Sequence, residues 1–347
     1  MDWGWPFPCL PRLDWLQIEI SSDCTANCCY CPRTVYQDRW LTRHMEEGLF
    51  RRLLPVFKKT RLVHLQGWGD PFTHPQFFHF ARLAKGAGCQ VGTTSNGMLL
   101  NEPLCAQLVE ENIDTIAFSL AGTGAENDRY RRGTRLEQVL AIIEHIHRIK
   151  QRTGADRPHV HIAYVLLKSG RTTVGRLPDL LRDRGIAQVV ISTLDTIGSP
   201  RLAPEAFSPD DNQEKEALRR QLGDVVEAGR EVGLTIHCRL PAFAQKHEEN
   251  QRHLDTEPPW CTENVQRAVF IGVTGKVSPC VFVNLPMIAP PPHPPGSMAR
   301  PYHPLSFGNI ATTRFEKIWH AQQYSSFRKA HRSGAIPPLC RFCPKFG

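Results

Sequence analysis

Apolar residues along the first two thirds of the chain switch between two periods. Leu16-Gln-Ile18-Glu-Ile20 alternates at every second position, which predicts a half-buried strand. Met45, Leu49, Leu53 and Phe57 then return at four-residue steps, which predicts an amphipathic helix kinked at Pro55. The exchange repeats. A strand over 61–66 precedes a helix marked by Phe77, Ala81 and Ala84 and broken by Gly86 and Gly88. A strand over 90–94 precedes a helix carrying Leu104, Leu108 and Val109, and a strand over 113–120 precedes one carrying Leu136, Val139, Leu140, Ile143 and Ile146. Strands over 159–167 and 188–193 flank a short helix at 177–181. A long helix over 210–233, apolar on Leu218, Leu222, Val225 and Val226, leads into a strand over 234–238.

Strict strand–helix alternation implies an α/β fold with a parallel sheet and right-handed crossovers. No Gly-rich phosphate fingerprint opens the first helix, which disfavours a dinucleotide-binding reading. The expected architecture is a partial (β/α)6 TIM-like barrel over residues 14–240, after a Pro-rich lead over 1–13. A polar linker over 241–259 would join it to a small α+β domain over 260–347. Barrel chemistry sits on the loops after the C-terminal ends of strands, and the unusual stretches fall there. Cys24, Cys28 and Cys31 follow strand one, Gly67-Trp68-Gly69-Asp70-Pro71 follows strand two, and Thr94-Ser95-Asn96-Gly97 follows strand three. Ser119-Leu120-Ala121-Gly122 closes strand four and Asp195 comes just after strand six. Five such loops would share one rim.

The three cysteines stand at CxxxCxxC spacing with Tyr30 before the last. Three thiolates on one loop can hold three irons of a [4Fe–4S] cube and leave the fourth open to a chelating ligand. A zinc site or unrelated reduced thiols would use the same residues. Cys29 reads as a spectator, since two adjacent thiols cannot easily point at one cube. A second set, Cys261, Cys280, Cys340 and Cys343, suits either a fully ligated cluster or a four-thiolate zinc site. Cys9, Cys89, Cys105 and Cys238 read as ordinary buried thiols, and no histidine is assigned to metal.

Composition narrows the setting. The twelve cysteines cluster at metal-type spacings and no export signal precedes them, so a reducing cytoplasm is expected instead of disulfides. No apolar run is long enough for a membrane span. The net charge of +8 is dispersed among acids, which points to a mildly basic solvated surface and not to nucleic acid. The Pro-rich stretch over 290–304 reads as an inert loop, a lid or a docking strip.

The cysteine spacing and the GWGDP loop resemble the radical S-adenosylmethionine (radical SAM) superfamily over residues 14–195. That resemblance implies a SAM-binding [4Fe–4S] cluster on Cys24, Cys28 and Cys31, with the amino and carboxylate groups of SAM on the open iron. It implies that Gly67, Trp68, Gly69, Asp70 and Pro71 cradle the SAM methionine, glycine permitting the close backbone approach. Asp70 stands where the family usually has Glu, and Trp68 where Gly is common. Ser95, Asn96 and Ser119 would line SAM, Tyr30 would shield the cluster, and Arg131 would meet the SAM carboxylate or form a surface ion pair. Ala121 departs from a frequent Asp, and Thr25 from an Asn that often follows the first cysteine. The C-terminal cysteines, with Gly275 and the Gly308-Asn309-Ile310 lead, resemble the SPASM or twitch auxiliary domains and imply one auxiliary [4Fe–4S] cluster.

The function expected is reductive cleavage of SAM to a 5′-deoxyadenosyl radical. Hydrogen abstraction from a C–H bond of a small-molecule or peptide substrate would lead to oxidation or bond formation. A reducing partner of flavodoxin or ferredoxin type would supply the electron. Asp195 is the nominated acid/base, with a helix cap or loop acceptor as its alternative role. A maturase with a separate recognition partner, and a non-catalytic metal-binding or electron-transfer scaffold, are the competing functions.

Overall fold

The computed structural model describes residues 10–194, 200–207, 211–239, 261–289, 302, 304–341, 343 and 345. The expected linker over 241–259, most of the Pro-rich stretch and Asp195 lie outside the described residues.

Twelve strands are described: β1 (Leu13–Ile18), β2 (Asn27–Cys28), β3 (Thr60–Leu65), β4 (Gln90–Ser95), β5 (Thr115–Leu120), β6 (Arg131–Arg132), β7 (His159–Leu166), β8 (Ile186–Thr193), β9 (Ile236–Arg239), β10 (Ala268–Ile271), β11 (Lys276–Ser278) and β12 (Gly308–Asn309). Ten of them form one sheet in the order β12-β11-β10-β1-β3-β4-β5-β7-β8-β9. Pairing is parallel from β10 through to β9, and β11 and β12 return antiparallel. The six expected strands are therefore present in one parallel array, with β9 added at one side. The sheet is open among the described residues.

Alternation along the strands sorts the two faces. Val63, Leu65, Ile116, Phe118, Leu120, Val160, Ile162, Tyr164 and Leu166 are buried against the helices. On the other face Gln17, His64, Thr94, Ser119, His161 and Gln188 are half-buried. A closed (β/α)8 barrel fills that interior with branched apolar side chains; here it is polar and open.

One expectation is corrected. The single kinked helix over Met45 to Phe57 is two short helices, Glu47–Arg51 and Leu54–Phe57, with Met45 ahead of both. Pro55 sits in the first turn of the second helix, where its missing N–H costs nothing, so it starts a helix instead of bending one. The C-terminal segment is tied to the main sheet. Its first strand, β10, pairs with β1 in register Trp15↔Ala268 to Ile18↔Ile271 and so continues the main sheet. All four residues of β10 are buried. Two helices, Phe315–His320 and Gln322–Arg332, pack beyond it through Phe315, Ile318, Trp319, Tyr324 and Phe327.

Candidate cofactor and active site

β1 ends at Ile18 and the chain crosses the C-terminal edge of the sheet before reaching the first cysteines. The loop is held from below by Arg33, whose guanidinium donates to the carbonyls of Cys24 (2.8 Å) and Ala26 (2.6 Å) and to the Asn27 side chain (3.0 Å). A short ribbon closes it from the side: β2 pairs antiparallel with β6, placing Cys28 opposite Arg131. The Cys29 N–H donates to the Tyr130 carbonyl at 2.9 Å.

The thiols of Cys24, Cys28 and Cys31 converge. Burial raises the Cys24 thiol above its ordinary value, and nearby Asp70 and Cys28 add to the rise. Burial, reinforced by Cys28, pushes Cys31 up to about 12. The Cys24 sulfur accepts N–H groups from Ala26 and from the Asn96 side chain, both at 3.4 Å. Three thiols with hydrogen-bond donors aimed at sulfur fit an iron–sulfur cluster. Among the described residues no three His, Cys, Asp or Glu side chains stand at single-ion distances, which a ligand set spread around the corners of a cube does not require.

Arg131 is buried at 6 % exposure, which removes the surface ion-pair reading. Its guanidinium donates to the Tyr30 hydroxyl at 2.6 Å while Nε has no partner among the described residues. Burial alone would weaken its charge, but Tyr30, Cys28 and Cys24 outweigh it and hold the cation firmly. A buried cation with an unused donor beside three thiols suits an anionic ligand group.

The GWGDP loop does more within the chain than its sequence suggests. A Cβ on Gly69 would lie 2.4 Å from the backbone oxygens of both Ser21 and Asp23, so the cysteine loop itself runs across this glycine. A Cβ on Gly67 would lie 2.3 Å from the Glu19 side chain. The Asp70 carboxylate accepts from Phe72 N–H (3.0 Å), Ser95 Oγ (2.9 Å) and Asn96 N–H (2.8 Å). It caps the turn that begins at Pro71 and joins the loops after β3 and β4. Burial raises its pKa against those three donors. Asn96, fixed in this way, is the residue that reaches Cys24. Ser119 lies on the polar face of β5, and Ala121 beyond it donates its N–H to the buried Asn127 side chain at 2.9 Å.

Two features escape sequence reasoning. Glu19 belongs to the alternating strand pattern and carried no sign of a special role, yet it is wholly buried. Its carboxylate accepts from Trp68 N–H (2.9 Å) and Val273 N–H (3.0 Å), and burial pushes it up to about 7. The second is a rim carboxylate, Glu205, which accepts from Ser169 Oγ (2.6 Å), Ser169 N–H (3.0 Å) and the Tyr130 hydroxyl (3.2 Å). Only its position in space, opposite the Cys29 loop, marks it.

The auxiliary cysteines also converge. Cys261 precedes β10, Cys280 follows β11, and Cys340 and Cys343 follow the last helix. Burial pushes Cys261 and Cys340 up to about 12 and Cys280 well above its ordinary value, with neighbouring thiols of the set adding to each. The Glu263 carboxylate adds to the rise at Cys280 and Cys261, and the four thiols suit a closed cluster.

Residues 18–168 match the family model described as the radical SAM superfamily, and residues 261–344 match the SPASM model, an iron–sulfur cluster-binding domain. The chain is 22% identical over 338 residues to the tungsten-containing aldehyde ferredoxin oxidoreductase cofactor-modifying protein of Pyrococcus furiosus, covering 95% of this chain and 87% of that one. It is 22% identical over 339 residues to the PqqA peptide cyclase of Gluconobacter oxydans, covering 95% and 82%. Among solved structures, SuiB of Streptococcus suis bound to S-adenosylmethionine superposes with a TM-score of 0.64 at 14% identity, over 92% of this chain and 68% of that one.

Proposed function

We infer that this chain, which belongs to the radical SAM superfamily and carries a SPASM-type iron–sulfur domain, is a maturase that abstracts hydrogen from a C–H bond of a peptide substrate. The observation that carries the reading is the convergence of three loop thiols, the GWGDP loop and Arg131 at the C-terminal ends of parallel strands. The cofactors are a [4Fe–4S] cluster, SAM and an auxiliary cluster. When bound, the first cluster and SAM supply a 5′-deoxyadenosyl radical once one electron is delivered.

The protein's part is placement and shielding. Cys24, Cys28 and Cys31 hold the SAM-binding cluster, with Asn96 donating to the Cys24 sulfur. Arg131 offers its free Nε to the SAM carboxylate, with Tyr30 holding the guanidinium in place. Backbone groups of Gly67, Trp68 and Gly69 meet the methionine amino group, with Asp70 and Pro71 fixing their course. Ser95 and Ser119 border the same edge. Cys261, Cys280, Cys340 and Cys343 would hold the auxiliary cluster, which when bound would supply a one-electron acceptor. The polar open face around His64, His161 and Gln188 suits the amide groups of a peptide. Asp195 remains the nominated acid/base, Glu205 is a further carboxylate near the Cys29 loop, and a flavodoxin- or ferredoxin-type protein in a reducing cytoplasm would deliver the electron. Among the described residues no helix is long and apolar enough to cross a membrane.

The likeness to the cofactor-modifying protein of Pyrococcus furiosus favours a second reading, in which the substrate is a cofactor or its precursor. Anaerobic incubation with reductant, SAM and deuterated candidate substrates separates them. Deuterium in 5′-deoxyadenosine with a peptide and not with a cofactor precursor supports the first reading. Deuterium returned to the substrate with SAM regenerated would overturn the oxidative outcome.

A further inference from the structure

The two cysteine sets are joined by very little chain. The Trp68 indole N–H donates to the carbonyls of Val281 and Asn284, both at 3.2 Å. Its ring meets Phe282 edge-on, with centroids 6.1 Å apart. Val281 directly follows Cys280, whose own side chain caps nothing in the short turn Val281–Val283. Two residues after Trp68, the Asp70 N–H donates to the Asp23 carbonyl at 2.7 Å, and Asp23 directly precedes Cys24. Two hydrogen bonds, one from Trp68 and one from Asp70, therefore connect the backbone at Cys280 to the backbone at Cys24. Glu19 grips the same loop from behind, bonded to Trp68 N–H on one oxygen and Val273 N–H on the other. The turn is anchored in its own right, since the buried Asn284 side chain donates to Ser278 Oγ at 3.0 Å.

We propose that Trp68 is the positioning residue through which loading of the auxiliary cysteine set fixes the loop that binds SAM. The inference rests on the radical SAM reading of the site. Ligation at Cys280 restricts the residues that follow it, and the indole is the side chain that transmits the restriction to residues 67–71. From there Asp70 passes it to Asn96 and to the Cys24 loop. A glycine at position 68 would keep the backbone N–H bond to Glu19 but could reach neither the Val281 and Asn284 carbonyls nor Phe282, so the large aromatic in a loop expected to be glycine-rich has a purpose: it reaches the second site.

The test is a thermodynamic cycle read by SAM binding, not turnover. Equilibrium dialysis of SAM would use anaerobically reconstituted, oxidised protein in four forms: unaltered, Trp68→Phe, Cys280→Ser and the double variant. Phenylalanine keeps a smaller aromatic ring to face Phe282 and lacks the N–H donor. Each single change is expected to weaken SAM binding about tenfold, and the double variant no further, because both remove one link. Iron counts identify the proteins that keep only the first cluster. Cys343→Ser, at the far end of the same ligand set, serves in place of Cys280→Ser should that variant fail to fold. Losses that multiply, or unchanged affinity in Trp68→Phe, overturn the proposal and leave the functional reading intact. Absence of SAM binding by the unaltered, iron-loaded protein would overturn both.

Discussion

The two cysteine sets are built by opposite means. Cys24, Cys28 and Cys31 lie within one loop, and the bonds that shape it come from Arg33 a few residues on and from the ribbon at Arg131. Cys261, Cys280, Cys340 and Cys343 are spread from one end of the C-terminal third to the other and meet only after β10, β11 and the two last helices have packed. The first set is a local motif set on a finished scaffold. For the second, binding the cluster and completing the scaffold are one event, so its ligation energy is also folding energy.

The sharpest test of that contrast removes each set in turn. Changing Cys24, Cys28 and Cys31 to Ala should lower iron from about eight to about four per chain and abolish SAM binding. Thermal unfolding should scarcely move. Changing the four auxiliary cysteines to Ala should remove a similar amount of iron and also lower the unfolding midpoint markedly, as seen by calorimetry. Equal destabilisation by the two variants would break the distinction.

Glu19 lies on the seam between the regions and gives a smaller, pH-dependent effect. Below its ordinary value of 4.5 the carboxyl is protonated whether folded or not, and it adds no cost. Between 4.5 and about 7 the folded state holds the proton more tightly, so stability falls as pH rises through that window. The full cost, on the order of 3 kcal/mol, is reached above it. Denaturant midpoints across pH 4 to 8 should show this slope in the unaltered protein, and Glu19→Gln should flatten it. An identical slope in both would remove Glu19 as its source.

Gly69→Ala is expected to have the smallest effect on stability and the most local one. Its methyl would enter the backbone of Ser21 and Asp23 and should cost about 2 kcal/mol. Iron should fall only at the first site. Gly48→Ala, in the helix Glu47–Arg51 and with no atom within 4 Å of the added carbon, is the control and should leave iron unchanged and stability no lower.

Periodicity alone revealed β1, β3, β4, β5, β7, β8 and β9 and most helices, because each buries one face and the pattern of burial is local. It also placed the cysteine loop and its neighbours at one rim. What it could not show was which distant segment each side chain meets. Glu19 reads as the polar partner of Ile18 and Ile20 in an alternating strand, and nothing nearby says that Val273 will donate to it. Trp68 reads as a departure from a glycine-rich pattern until the carbonyls of Val281 and Asn284 are in place. Pro55 misled for a related reason. A four-residue apolar step continues across two short helices when both press onto the same core, here through Phe50, Leu53, Val56 and Phe57.

The pairing of β1 with β10 bears on how the chain is made. β1 leaves the ribosome well before β10, and the side of it that β10 covers has no partner until residue 271 has followed it out. For the whole of that interval it presents an open row of N–H and C=O groups, the kind of template that recruits a strand from another chain. The delay is long, since synthesis proceeds at about 5–20 residues per second. A nascent chain stalled near residue 260 would carry Cys24, Cys28 and Cys31 beyond the end of an uncapped strand. Chaperone binding and cluster insertion thus compete for the same edge during translation, and slow codons ahead of β10 would lengthen the contest.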